Sequence, residues 1–352
     1  MTADTVGGVF TYSVELARAL ALHGVTVLLA TMGRRLDAAQ RSLVRQAGNV
    51  TVIESTYKLE WMDDPWADVE AAGEWLLKLE AAHRPHVVHL NGYTHGALAW
   101  RTPVLAVGHS CVLSWWRAVK HAEAPGEWDT YRRNVTRGLQ AAHCVVAPTR
   151  AMLSELQRYY GPFGQSHVIP NGIARGLYTP RAKREYILTA GRLWDAAKNV
   201  QLLATIAPQL PWPVFVAGEG TPAWTSNFFQ LGALSRGTLS VWQSQAAIYA
   251  LPALYEPFGL SVLEAALCGC ALVLGDIPSL RENWEGAAEF VDPNDPRTAQ
   301  RKIKALTTSP DRLHRLQAAA FDRAQTFSAA LMADAYRNAY RTLISRTLAC
   351  AS

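Results

Sequence analysis

Two glutamates, Glu256 and Glu264, stand eight positions apart in the run Tyr255-Glu-Pro-Phe-Gly-Leu-Ser-Val-Leu-Glu264. An arginine and a lysine, Arg192 and Lys198, stand six apart in Gly191-Arg-Leu-Trp-Asp-Ala-Ala-Lys-Asn199. Carboxylates hold hydroxyls. A guanidinium grips phosphate as a planar fork, and an ammonium acts on it as a point charge. Together these four residue types suit a sugar carried on a diphosphate. In a group transfer the two cations would stabilise charge building on the departing diphosphate, work that a metal otherwise does. No Asp-x-Asp occurs, nor any other obvious spacing for magnesium or manganese, so the expectation is no metal and no cofactor, the cations acting unaided.

Local elements must aim these groups. Pro257 keeps Glu256 out of the helical region, so Glu256 is predicted in extended chain just before a helix. That helix runs on through Glu264 and stops at Gly269. The N–H groups of Phe258, Gly259, Leu260 and Ser261 would be the unpaired donors of its first turn, an anion and hydroxyl cradle that Gly259 lets a ligand approach closely. Glu256 would face the cradle, and Glu264 would project about two turns further on. The spacing alone also fits a plain helix entry with an ordinary helix glutamate. Arg192 and Lys198 straddle a strand-to-helix turn, where parallel α/β folds bind ligands. A pair of solvated surface cations is the plainer alternative.

The first half offers looser candidates. Gly7 and Gly8 run straight into a helix, a place where backbone can meet phosphate or sugar. His109 follows an apolar strand and should lie at its carboxyl end; a working histidine and a structural hydrogen bond both fit there. Trp61 and Trp66 flank the Asp63-Asp64 loop, and Trp115 and Trp116 follow His109. Exposed tryptophans stack on sugar faces, so these four are acceptor-side candidates, although burial is the commoner fate of the residue. Gly218-Glu219-Gly220 follows a strand, but Ala223 stands where a dinucleotide fingerprint needs its third glycine. The segment reads as a nucleotide-side loop that, with residues 231–234, would contact the base largely through backbone; Glu219 and Leu234 are its named members.

Composition bounds these readings. At 352 residues, 49% hydrophobic and 18% charged, the chain is globular and suits about two domains. The net charge of +5 fits an anionic ligand or a peripheral visit to the inner face of a membrane, and its scatter gives nucleic-acid binding little support. Five cysteines without a Cys-x-x-Cys pair, and no signal-peptide pattern, point to reduced thiols in the cytoplasm. No apolar run is long enough to span a bilayer.

Apolar β-branched runs alternate with helical patterns throughout, which predicts parallel α/β architecture. Strands are expected at 25–30, 50–53, 87–90, 104–107, 144–147 and 167–169, then at 186–190, 214–217, 246–249, 271–274 and 288–290. Helices are expected at 9–23, 68–82, 128–141 and 149–160, with Thr149 as an N-cap, and from about 297 to 349 in three segments. Pro170-Asn171-Gly172 is the linker candidate. The predicted organisation is an acceptor-side domain at 1–172, a donor-binding domain at 173–330 and a final helix at 331–352. Such halves place a ligand in the cleft between them.

These pieces, in this order, resemble a retaining glycosyltransferase of the GT-B fold, family 4 (group 1 type). The Glu-x7-Glu element matches at Glu256 and Glu264, and Gly-Arg-x5-Lys-Asn at Gly191-Arg192 and Lys198-Asn199. The segment 168–173 is similar to the family's interdomain link. Gly7-Gly8 matches its amino-domain glycine loop, and His109 the histidine after a strand of that domain. The resemblance implies two Rossmann-like domains facing across a cleft, the last helix crossing back to the first. It implies metal-independent transfer from a nucleotide-diphosphate sugar (UDP-, GDP- or ADP-linked) to a hydroxyl on a glycan, a lipid-linked sugar or a small molecule. Glu256 would approach the reacting face of the sugar, Glu264 the ribose, and Arg192 and Lys198 the diphosphate. Backbone amides of Phe258, Gly259 and Leu260 would hold sugar or phosphate, and His109 would lie beside the transferred sugar. A same-face displacement is implied, with the departing phosphate taking the acceptor's proton. One departure is plain: only six residues precede Gly7 where the family has a full strand, so the start lies upstream, or residues 1–4 are the strand's remnant, or the sheet is rebuilt. A phosphorylase with pyridoxal phosphate, an epimerase, or a protein that only binds a nucleotide sugar are the competing readings.

Overall fold

A computed structural model describes residues 1–220 and 225–351 of the chain. Ala223 and the side chain of Cys350 lie outside the described residues. The chain divides into two compact units. Met1–Arg117, Ala122–Gly172 and the segment from Ala329 onward form the first; Ala118–His121 and Ile173–Ser328 form the second.

The first unit carries seven described strands: β1 (Thr2–Asp4), β2 (Val27–Met32), β3 (Val50–Glu54), β4 (Val88–Leu90), β5 (Val104–Val107), β6 (Cys144–Ala147) and β7 (Ser166–Val168). They form two parallel sheets, ordered β1-β2-β3 and β4-β5-β6-β7. Every residue of β5 and β6 is buried, which is why these strands read as unbroken apolar runs instead of alternating ones. Residues 2–4 do form a strand, with Thr2 beside Ala30 and Asp4 beside Met32. Away from β2, Thr2 is met by Asn91. Asn91 donates its backbone N–H to Thr2 Oγ1 at 2.9 Å and its Nδ2 to Thr2 O at 2.7 Å. The helix Gly8–Ala21 follows β1 and packs against the last helix, Ala329–Ala351, within this unit. The helix Arg150–Tyr160 starts as the sequence predicts, Thr149 Oγ1 accepting the N–H of Met152 at 3.0 Å.

The second unit holds one parallel sheet ordered β10-β9-β8-β11-β12-β13, made of β8 (Arg184–Ala190), β9 (Val214–Ala217), β10 (Phe228–Gly232), β11 (Ala246–Leu251), β12 (Ala271–Gly275) and β13 (Glu289–Val291). Ile187, Ile248, Ala250 and Val273 fill the core on one face; Leu188, Tyr249, Leu251, Leu272 and Leu274 fill the other. Neighbouring residues thus enter opposite layers, as a sheet covered on both faces requires. The chain builds outward from β8 through β9 and β10, then returns to start β11 on the other side of β8. β8 and β11 therefore flank the topological switch point, where open parallel sheets bind ligands at their carboxyl ends.

Both units are parallel α/β, as expected, and the carboxyl-terminal segment forms the helices Pro296–Thr307, Pro310–Ala324 and Ala329–Ala351. Among the elements not anticipated, β10 is an edge strand with Phe229 half-exposed and Gly232 at its end, so it lacks a β-branched run. The helix Ala38–Ala47 buries none of its residues fully and so has no strong apolar stripe; its signal was the capping box of Asp37 and Gln40. The helix Val112–Lys120, which carries Trp115 and Trp116, is not among the predicted helices. Cys111, Cys144, Cys268 and Cys270 are buried thiols outside any disulfide. Among the described residues no helix is long and apolar enough to cross a membrane, and no group of three or more His, Cys, Asp or Glu could hold a metal ion.

Candidate active site

Glu256 sits in the turn after β11, Lys198 after β8, and the two meet at the switch point of the second unit. Lys198 Nζ lies 2.5 Å from Glu256 Oε2, with the side chains 15% and 13% exposed. The other carboxylate oxygen, Oε1, accepts the N–H of Gly259 at 3.0 Å. Gly259 caps the helix Leu260–Leu267 at φ 89°, a left-handed conformation that glycine adopts without strain. Ser279 Oγ donates to the Glu256 carbonyl at 2.6 Å and fixes the turn from behind. The cradle expected from the sequence has one donor fewer than the four N–H groups of residues 258–261. The Gly259 N–H is already spent on Glu256, whose carboxylate, three positions before it, folds over the helix end. Leu260 and Ser261 remain as first-turn donors. Phe258 is buried, its carbonyl taking Asn283 Nδ2 at 3.3 Å.

Arg192 lies in the turn that follows β8. Its Nη2 donates to Asp195 Oδ2 at 2.9 Å, and its guanidinium carbon lies 5.1 Å from the ring centre of the exposed Trp194. Asp195 also accepts the Ala197 N–H at 3.0 Å, so one carboxylate shapes the turn and aims the arginine. Asn199, next to Lys198, is left-handed at φ 52°; its Nδ2 donates to the carbonyls of Pro252 at 3.0 Å and Pro293 at 2.8 Å. That ties the Lys198 turn to the chain leaving β11. Gly218, after β9, has φ 149°, and a Cβ there would fall 1.8 Å from the Gly191 carbonyl. The Gly191-Arg192 turn can lie where it does only because residue 218 has no side chain. Glu219 is exposed, and its carbonyl accepts the Leu193 N–H at 2.9 Å. Leu234 is partly buried against the core just before the Ser235-capped helix Arg236–Gln245.

Glu264 is buried in the helix Leu260–Leu267, not projecting to solvent. Tyr178 Oη donates to its Oε1 at 2.6 Å, and Arg236 Nε donates to Tyr178 Oη at 2.8 Å while standing 3.9 Å from the same carboxylate oxygen. Burial, and then the glutamate's charge, push the Tyr178 phenol well above its ordinary pKa, so it stays a donor. Sequence reasoning missed Tyr178 and Arg236, which share no spacing with the glutamate they serve. Around these turns Lys198 is thus matched with Glu256, Arg192 with Asp195, and Arg236 with Glu264.

In the first unit, Gly7 caps the helix Gly8–Ala21 with extended backbone, and Gly8 is exposed at its start. His109 lies just beyond β5, as expected, its Nε2 2.8 Å from Asn91 Oδ1 and its ring edge-to-face with Tyr12 at 4.5 Å between centres. The same Asn91 oxygen lies 3.1 Å from Nε2 of His89, whose Nδ1 is 2.6 Å from Tyr340 Oη. Desolvation holds both imidazoles below the ordinary histidine pKa, His89 at about 3. His89, Asn91 and Tyr12 were not singled out in the sequence; only the carboxyl end of the short β4 marked the place. Trp61 and Trp66 are partly buried against the first unit's cores, and Trp115 and Trp116 are partly buried edge-to-face on one helix, 6.0 Å between centres.

Comparison with known proteins bears on the whole chain. The profile of the family described as Glycosyltransferase Family 4 matches residues 6–175, and that of Glycosyl transferases group 1 matches residues 184–309. The D-inositol 3-phosphate glycosyltransferase of Xylanimonas cellulosilytica is 28% identical, the match covering 95% of this chain and 92% of that protein. The alpha-maltose-1-phosphate synthase of Mycobacterium tuberculosis is 26% identical over 57% of this chain and 63% of its own. Among solved structures, the sucrose-phosphate synthase of Thermosynechococcus elongatus aligns with a TM-score of 0.81 at 19% identity, covering 98% of this chain and 96% of that one. HepE of Anabaena, solved with UDP and glucose, aligns with a TM-score of 0.75 at 16% identity, covering 97% and 100%. With two adjoining family profiles spanning most of its length and a fold of two Rossmann-like halves, the chain belongs to the family 4 (group 1 type) glycosyltransferases of the GT-B fold.

Proposed function

We propose that this glycosyltransferase moves a sugar from a nucleoside-diphosphate donor to a hydroxyl acceptor with retention of anomeric configuration and without a metal. The observation that carries the reading is the arrangement of Lys198, Glu256 and Gly259 where β8 and β11 diverge. A diphosphate arriving there meets two cations, Lys198 and Arg192, that are already positioned by their own carboxylates. It draws Lys198 toward itself, and Glu256 turns to hydroxyls of the sugar. Glu264, held by Tyr178, takes hydroxyls elsewhere on the donor. The acceptor hydroxyl attacks on the face from which the diphosphate departs, and its proton passes to the departing phosphate oxygen. The two cations stabilise the negative charge on that leaving group.

Relatives of this chain support the donor class. HepE was solved with UDP and with glucose, and other relatives are named for transfer to inositol 3-phosphate or for synthesis of sucrose phosphate and maltose 1-phosphate. A small polyol or sugar, free or phosphorylated, is accordingly the acceptor class to test before glycans and lipid-linked sugars. The testing experiment screens UDP-, GDP- and ADP-sugars by thermal shift, where the tightest binder raises the midpoint most. The best donor is then offered acceptors in the presence of a chelator. An α-linked product from an α-linked donor, formed undiminished in chelator, is the expected result. An inverted product or a strict metal requirement would overturn it.

A further inference from the structure

The amide of Asn91 occupies a position in the first unit that neither the family resemblance nor the comparisons assign. Its orientation is fixed by its donors: Nδ2 gives hydrogen bonds to Thr2 O at 2.7 Å and to Ser13 Oγ at 3.0 Å. Ser13 Oγ in turn donates to the Val9 carbonyl at 2.8 Å, so it must accept from Asn91. The Asn91 carbonyl oxygen is thereby aimed at two imidazoles, 2.8 Å from His109 Nε2 and 3.1 Å from His89 Nε2. An amide oxygen only accepts, and its two lone pairs are filled by two N–H donors. Both histidines must therefore carry a proton on Nε2.

The other nitrogens then differ in use. His89 Nδ1, buried, accepts from Tyr340 Oη of the last helix. His109 Nδ1 has no hydrogen-bond partner among the described residues, and the residue as a whole is only partly buried. Tyr12 holds that ring edge-on from the helix Gly8–Ala21. We infer that Asn91 is a positioning residue which fixes His109 as a neutral imidazole protonated at Nε2, presenting the Nδ1 lone pair as an acceptor for a sugar hydroxyl. The charge state matters for the reaction proposed above, on which this role rests. Glycosyl transfer passes through an oxocarbenium-like, positively charged sugar. An imidazolium would oppose that charge, whereas a neutral acceptor nitrogen orients a hydroxyl without opposing it. The groups around His109 share this bias. Tyr12 and His89 face it, Tyr336 and Tyr340 stand behind them from the last helix, and among the described residues no carboxylate hydrogen-bonds or pairs with it.

The test uses the full chain labelled with 15N-histidine, read by long-range proton–nitrogen correlation, with His109→Gln and His89→Gln assigning the two signals. The expected wild-type spectrum shows the neutral Nε2–H form of both rings at neutral pH. An Nδ1–H tautomer or an imidazolium at His109 would overturn the inference without any variant of Asn91. Asn91→Asp keeps an acceptor oxygen but adds charge; it should bring an imidazolium signal at His109 near neutral pH and lower kcat. Asn91→Leu removes the acceptor; it should mix the tautomers and lower kcat by about ten- to a hundredfold with little change in donor KM, the scale on which partners orienting a working imidazole act elsewhere. An Asn91→Leu enzyme with unchanged kcat would sink the positioning role. Full transfer by His109→Gln would overturn the role of the histidine while leaving the transferase reading intact. A wild type that transfers no sugar from any donor would instead count against the transferase reading, and the spectrum would still decide the tautomer.

Discussion

Lys198 Nζ and Glu256 Oε2 are 2.5 Å apart, although 58 positions separate them in the chain, and both side chains are largely buried. Each is the other's counter-charge until a ligand competes. Removing one partner leaves the second charge poorly solvated, which costs more than the pair contributes when intact.

Lys198→Ala should therefore do two separable things. Loss of a cation facing the leaving diphosphate should lower kcat by about 10²- to 10³-fold. The stranded Glu256 carboxylate should lower stability by roughly 1–3 kcal/mol, read as a shift in the urea midpoint. Glu256→Gln keeps the shape and the hydrogen bond from Gly259, so its stability should fall less while transfer is lost. Full activity in either variant would remove the pair from the reaction.

Tyr178→Phe tests the second carboxylate. The phenol donates to Glu264 at 2.6 Å and accepts from Arg236 at 2.8 Å, and Arg236 also stands 3.9 Å from the same carboxylate oxygen. Without the hydroxyl, Glu264 loses one buried donor and Arg236 one acceptor. Donor KM should rise severalfold, and stability should fall by about 1 kcal/mol for one lost buried hydrogen bond. An unchanged donor KM would place Glu264 outside the donor site.

How far these sites were legible depended on where their partners come from. Glu256, Lys198 and Arg192 announced themselves because a turn, a proline and a helix start lie within a few residues of each. Parallel strands such as β5, β6 and β11 were legible because burial on both faces makes them unbroken apolar runs. Tyr178 and Arg236 were not, since 86 positions separate Tyr178 from Glu264 and only the folded sheet joins them. Asn91 was hidden for the same reason: its partners Thr2, Ser13 and His109 lie on three different segments. β10 failed differently, its edge position leaving polar and glycine residues that carry no strand pattern.

Gly218→Ala should separate the close backbone approach from the chemistry. A Cβ at this position meets the Gly191 carbonyl, and a φ of 149° is strained for alanine. Together they should cost about 2–4 kcal/mol of stability. The Gly191-Arg192 turn must move to relieve the clash, so donor KM should rise while bound donor still reacts. An alanine variant with wild-type stability would show that the two turns can part freely.

Lowering the pH should destabilise the first unit through its buried histidines. Desolvation places the folded-state pKa of His89 at about 3 and depresses that of His109, whereas the unfolded value is about 6.5. Between those values the unfolded chain binds protons that the folded chain refuses. Stability therefore rises with pH across this window, and it is lost as pH falls below about 6.5. Each such histidine contributes a slope of up to about 1.4 kcal/mol per pH unit. Urea unfolding followed from about pH 8 to about pH 5 should show a plateau above the histidine range and a decline below it. His89→Gln, which has no proton to refuse, should flatten that decline. A midpoint that stays level down to about pH 5 would mean that these imidazoles titrate as freely folded as unfolded, and that the Asn91 cluster is open to water.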